Sequence, residues 1–191
     1  MKGEMASEEE TAYAASVMAT LNRYARDKVA DLQIHACTDV TGFGLAGHAL
    51  EMAKGSGKTL CSLPVMEGAL DYAAMGLIPA GAYRNREFAG GECEFSWKNH
   101  SGESSENFWL EKTRCEAVEN ETGRSETIIN EAELAAREDI VFDPQTSGGL
   151  LLSIAPQDAG KAISRLSSLS LPCAVIGRVI NLQKKHLVFV K

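Results

Sequence analysis

Between Leu32 and Ala53 the chain changes hydrophobic period across one glycine-rich turn, and that change restricts the folds open to it. From Leu32 to Cys37 apolar and polar residues alternate, with Leu32, Ile34 and Ala36 on one face and Gln33, His35 and Cys37 on the other. A period of two is the signature of a half-buried strand. Leu45, Ala49, Met52 and Ala53 then recur at helical spacing, and Gly55 and Gly57 are placed to end the helix. The intervening Thr38-Asp39-Val40-Thr41-Gly42-Phe43-Gly44 is therefore a strand-turn-helix joint. A second turn, Phe142-Asp143-Pro144-Gln145-Thr146-Ser147-Gly148-Gly149, leads into Leu150, Leu151, Leu152 and Ile154, which read as a central strand.

Ser7 precedes Glu10 at capping-box spacing, and Tyr13, Val17, Leu21 and Tyr24 predict one long amphipathic helix to about Lys28. Thr59 to Leu63 predicts a short strand, and Pro64 suits the first turn of a helix running to Met75 and stopped by Gly76. Residues 80–86 contain turn formers without a clear period and read as a loop. From about Glu92 to Asp139 the chain is polar and shows no core face. Within it, Cys93 to Trp97 has a weak strand pattern, and short helical patterns occur near Asn107 to Cys115 and Asn130 to Arg137. Pro156 starts a helix with Ala159, Ala162, Ile163 and Leu166 inward, followed by predicted strands at Cys173 to Ile176 and Leu187 to Val190. This alternation implies an α+β or α/β layer arrangement, and no internal repeat is present.

The 191 residues, 45% of them apolar, suffice for one domain with its own core. The net charge of −7 is local, because eleven acidic and four basic residues between Asn99 and Asp139 account for all of it. A neutral remainder without a basic stripe argues against nucleic-acid binding, which draws its affinity from clustered Lys and Arg. No apolar run approaches the ~20 residues of a membrane-spanning helix. Glu4, Glu8, Glu9 and Glu10 leave no apolar signal segment, so the expected location is cytoplasmic. Cys37, Cys61, Cys93, Cys115 and Cys173 are widely spaced without a C-x-x-C pair, which points to reduced and mostly buried thiols.

Each turn joins a carboxylate to hydroxyls and glycines. Asp39 is expected at the end of its strand, where α/β sheets tend to place ligands, and Gly42 and Gly44 permit close backbone approach. A carboxylate there suits magnesium, which takes oxygen ligands and completes its shell with water and phosphate. An Asx-type turn whose glycines only relieve strain is the structural alternative, and both readings stand. Thr146, Ser147, Gly148 and Gly149 can offer hydroxyls and N–H groups to an anion, although Asp143-Pro144 also reads as an ordinary turn. His48 is better placed to pack than to bind. Arg84 and Arg86 are either phosphate neutralisers or solvated loop residues, and Cys37 reads as inert. Neither the P-loop spacing nor G-x-G-x-x-G occurs.

The run from His35 to Leu45, with Gly47-His48 and Glu51-Met52, resembles the signature of the selenophosphate synthetase (selenide, water dikinase) family. The resemblance continues through Gly68-Ala69-Leu70, the Pro79 to Asn85 segment, Phe142 to Leu151 and Ile176-Gly177, and is to the C-terminal half of that family. It implies an α+β domain of the aminoimidazole ribonucleotide synthetase-like C-terminal type, with a mixed sheet covered by helices. That single domain would span residues 1–191, with an acidic insertion at about 91–137. It further implies an ATP-dependent enzyme making selenophosphate from selenide, releasing AMP and phosphate, with Mg2+ neutralising the phosphate chain. By the same resemblance Asp39 binds metal, and Thr38, Thr41 and Gly42 lie beside it at the ATP/phosphate site. The family's reactive Cys or selenocysteine, its catalytic Lys and most of its metal-binding aspartates lie in an N-terminal half that this chain does not contain. No catalytic residue is therefore assigned, and the chain alone is expected to be inactive. Its expected partners are ATP, selenide, the N-terminal half and, in the full-length form, a second copy making a homodimer. The rival readings are a stand-alone nucleotide-binding or regulatory module of the same fold, and another phosphoryl-transfer enzyme sharing the architecture.

Overall fold

The computed structural model describes residues 6–56, 58–59, 68–95, 131–182 and 184–189. Two helices, rather than one, open the chain. α1 (Glu8–Ala19) begins at the expected capping box, where the Glu10 N–H donates to Ser7 Oγ at 3.1 Å and the Ser7 N–H donates to Glu10 Oε2 at 2.8 Å. Thr20 and Leu21 are extended before α2 (Asn22–Val29). The Thr20 hydroxyl donates back to the Ser16 carbonyl at 2.8 Å, a local competitor for the backbone that ends α1 inside the apolar period. α1 buries none of its residues. Its Glu10 carboxylate accepts the Tyr72 hydroxyl at 2.9 Å, which ties it to α4 (Ala69–Ala74).

β1 (Ile34–Asp39) exposes His35, Cys37 and Asp39 and half-buries Ile34, Ala36 and Thr38, the alternation read from sequence. It pairs antiparallel with β4 (Leu150–Ile154), placing Asp39 opposite Leu150, with a register shift between Ile34 and Ala36. After the first turn, α3 (Gly44–Ser56) packs Leu45, Ala46, Ala49, Leu50 and Ala53 into the main core. The apolar run of β4 serves two clusters. Leu151 joins the main core with Val40, Phe142, Leu187 and Phe189, whereas Leu152 and Ile154 pack against Val29, Leu32 and Ala162. The smaller cluster draws on α2 and on α7 (Pro156–Leu166), which starts at the expected proline. Among the described residues, Phe142, Leu50, Leu187 and Val29 are the largest fully buried side chains, each contributing about 1.5–3 kcal/mol by leaving water.

The α+β class agrees with the sequence reading. Among the described residues the strands form three two-stranded ladders rather than one continuous sheet. β1–β4 is antiparallel, as is β2 (Lys58–Thr59) with β5 (Ile180–Asn181), while β3 (Cys93–Phe95) runs parallel to β6 (Leu187–Phe189). α4 starts after Gly68, whose φ is +81°. Residues 80–86 are helical, not a loop. They lie in α5 (Ala80–Ala89), which follows Pro79 and buries Ala82, Asn85 and Ala89 as a stripe at spacings of three and four. Cys173 to Ile176 forms no strand, although Ile176 packs against the main core. α6 (Glu131–Ile140) occupies the end of the acidic segment and does present a core face, since Ala136 is buried. The expectations for residues 60–67 and 96–130, including the helical pattern near Asn107 to Cys115, lie outside the described residues. None of the described helices is long and apolar enough to cross a membrane.

Candidate functional site

The two turns singled out from sequence lie side by side. The Val40 N–H donates to the Gly149 carbonyl at 3.0 Å and the Gly148 N–H to the Val40 carbonyl at 2.9 Å, carrying main-chain pairing beyond the β1–β4 ladder. The Gln145 N–H donates to the Thr41 carbonyl at 3.0 Å, and the Ala46 N–H, near the start of α3, donates to the Val141 carbonyl at 2.8 Å. Asn85 of α5 closes the joint, its Nδ2 donating to the Gly42 and Phe142 carbonyls, both at 2.9 Å. Asn22, at the start of α2, reaches the Gly148 carbonyl at 3.0 Å.

Three glycines in this joint divide by cause. Gly44 has φ +67°, and a Cβ there would stand 2.8 Å from the Phe142 carbonyl oxygen and 2.9 Å from that of Asp143. A Cβ on Gly148 would overlap the Val40 carbonyl oxygen. Gly42 has neither reason, since its Cβ would meet nothing within 4 Å and its φ is not positive.

Asp39 stands exposed at the end of β1, next to this open side in sequence. The Thr38 hydroxyl donates to the Asp39 carbonyl at 3.2 Å. Thr41 Oγ1 lies 3.1 Å from Nε2 of His48, which is 7% exposed. His48 Nδ1 is 3.5 Å from the Glu51 carboxylate and the Phe43 ring meets the imidazole edge-on, so His48 packs, as favoured from sequence, while also orienting Thr41. Across the joint, burial pushes the Asp143 carboxyl pKa up, opposed by Gln145 Nε2, which donates to its Oδ2 at 2.7 Å. Against the expectation of mostly buried thiols, Cys37 is exposed and Cys93 and Cys173 are half-buried; partial desolvation, and then the charge of Asp39, still raise the Cys37 thiol pKa.

The second turn is accounted for largely as a joint. Its Gln145 and Gly148 N–H groups are committed to the Thr41 and Val40 carbonyls, while Thr146 is exposed and Ser147 half-buried. Arg84 is exposed. Arg86 is partly exposed but already paired: it bonds Glu138 at 2.5 Å and Asp139 at 2.6 Å and lies 5.6 Å from the Phe142 ring centroid. Sequence reasoning passed over Asn85, whose signal was the Ala82–Asn85–Ala89 stripe hidden inside the supposed loop. Among the described residues no group of three or more His, Cys, Asp or Glu is placed to hold a metal. Asp39 is a single exposed carboxylate, of the oxygen-donor type that magnesium takes.

Residues 3–61, which hold the first of the two turns, match the family described as AIR synthase related protein, C-terminal domain. The chain is similar over almost its whole length to the C-terminal half of selenide, water dikinases. It is 36% identical over 191 residues to the selenide, water dikinase of Clostridium botulinum, covering 98% of the chain and 46% of that relative. It is 37% identical over 189 residues to that of Caldanaerobacter subterraneus subsp. tengcongensis, covering 96% and 45%. With selenide, water dikinase 2 of Peptoclostridium acidaminophilum it shares 35% identity over 196 residues, covering 100% and 46%. The chain therefore spans about half the length of the curated relatives it matches.

Proposed function

We propose that the chain is the C-terminal half of a selenide, water dikinase and supplies part of the magnesium–ATP site at which selenide becomes selenophosphate, with AMP and phosphate released. The observation that carries this reading is an exposed carboxylate, Asp39, three residues before Gly42, whose Cβ would meet nothing within 4 Å among the described residues. Gly42 leaves room for a ligand to approach the main chain. Magnesium, when bound, neutralises phosphate charge, and Asp39 is the residue to hold it. Thr38 and Thr41 flank that carboxylate, Thr41 with its hydroxyl against buried His48. The joint to the second turn keeps these groups from moving independently.

In this reading the nucleophile and most metal ligands belong to the other half of the enzyme, and the chain alone turns nothing over. The same reading takes residues 1–191 as one domain with an acidic insertion at about 91–137, whose last turns form α6, and takes the full-length enzyme as a cytoplasmic homodimer. The test is to mix the chain with the N-terminal half of the Clostridium botulinum relative, add ATP, magnesium and selenide, and follow selenide-dependent AMP. Activity only in the mixture supports the proposal, and activity from the chain alone would relocate the catalytic groups. Assembly without activity would favour the non-catalytic module.

A further inference from the structure

Asn85 is only 7% exposed, yet its amide donates to two main-chain carbonyls far along the chain. One belongs to Gly42 in the first turn and the other to Phe142 at the entrance of the second. A side-chain amide carries two N–H donors, and here each turn supplies one acceptor. Anchoring the Gly42 carbonyl also orients the next N–H, because a trans peptide points its C=O and N–H in opposite directions. The Phe43 N–H is thereby turned away from the buried amide. Asn85 is itself held in place: Ala82 and Ala89 bury the same stripe of α5, and the adjacent Arg86 grips Glu138 and Asp139 just ahead of Phe142.

We propose that Asn85 is a positioning residue that sets the spacing and peptide orientation of the Thr41–Gly44 turn against the Phe142–Gly149 turn, and so the geometry around Asp39 and Gly42. What the site binds rests on the function proposed above, whereas the clamp itself does not. The test combines hydrogen exchange on the 191-residue chain with calorimetric titration of magnesium–ATP, for the native chain and the variants Asn85→Ala and Asn85→Asp. In Asn85→Ala the amides of Gly44, Gln145 and Gly148 are expected to exchange about tenfold faster or more, while those of Ala155 and Leu169 keep their rates. In Asn85→Asp an ionised carboxylate faces two carbonyl oxygens, and its protonated form restores one donor. Protection and nucleotide affinity should therefore recover, relative to the native chain, between about pH 8 and about pH 6. A residue that merely fills volume would give no such recovery. The native chain serves as the baseline because its own Asp143 also titrates.

Faster exchange in one turn only, in neither turn, or evenly over the chain in both variants overturns the clamp. Native affinity that both variants retain overturns the positioning role. If the native chain binds no magnesium–ATP while exchange responds as stated, the site reading fails and the clamp stands.

Discussion

Gly42 and Gly44 sit two positions apart and answer to different forces. At Gly44 a methyl group would press on two carbonyl oxygens with the backbone already left-handed, so Gly44→Ala is expected to cost about 2 kcal/mol or more in urea denaturation. Gly42→Ala meets open space and should change stability by less than about 1 kcal/mol. Under the proposed function it nevertheless weakens magnesium–ATP binding, as Asp39→Asn does by about tenfold. Calorimetry showing native affinity in both variants would refute the site. Asp143 supplies a separate signature. Burial raises its folded pKa, so the folded state holds the proton more tightly than the unfolded state does. Its contribution is complete below the ordinary carboxylate value and is lost as pH rises through the folded pKa, a slope that Asp143→Asn should remove from the stability–pH curve.

The elements hold together through a few long-range ties. Arg86 joins α5 to α6, and Arg86→Met is expected to lower the unfolding free energy by about 2 kcal/mol, because Glu138 is nearly buried and loses a charged partner. Arg165 of α7 donates to Asp31, just past α2, and to the Lys28 carbonyl at 3.1 Å. The hydrogen bond from Arg165 holds the Asp31 carboxyl pKa down to about 2. That stabilisation is complete above the ordinary carboxylate value and fades as pH falls towards about 2, so Asp31→Asn should flatten the acid limb of the curve, most visibly at low salt. β1, α3, β4 and α7 were legible in sequence because each has one strong period and a clear start or stop signal. α5 was not. Gly81 lies against the Pro144 ring, where a Cβ would come within 2.9 Å of Cγ, so a residue that reads locally as a turn former is there for a tertiary contact. The break at Thr20 was hidden for the opposite reason: a side-chain bond to its own helix interrupts a continuous apolar pattern. Asp39 was placed correctly at a strand end, whereas the coupling of the two turns depends on main-chain bonds that no residue pattern announces.

Over the whole molecule, the exposed aromatic and aliphatic side chains stand out beside a chain half the length of its relatives. Tyr13 of α1, Leu21 between the two helices and Tyr24 of α2 face solvent, and Phe43 stacks on Phe88 with ring centroids 5.8 Å apart while both remain exposed. If the proposed N-terminal half docks, some of this surface leaves water, and the fluorescence of an apolar-surface dye should fall on mixing. An unchanged signal in a mixture that co-sediments would place the contact elsewhere.

The main-chain exchange between Val40 and the Gly148–Gly149 pair also sets an order of events during synthesis. A ribosome that has delivered β1 and α3 has made only one side of the joint, and the other side arrives only with residues 142–149. Until then the Val40 amide and carbonyl have no partner from that turn, and Gly44 has no carbonyl wall to fit against. Closing so long a loop is slow, though each doubling of its length adds only about 0.6 kcal/mol to the entropic cost. The site is thus among the last parts of the chain able to form, and an incomplete chain cannot acquire it early.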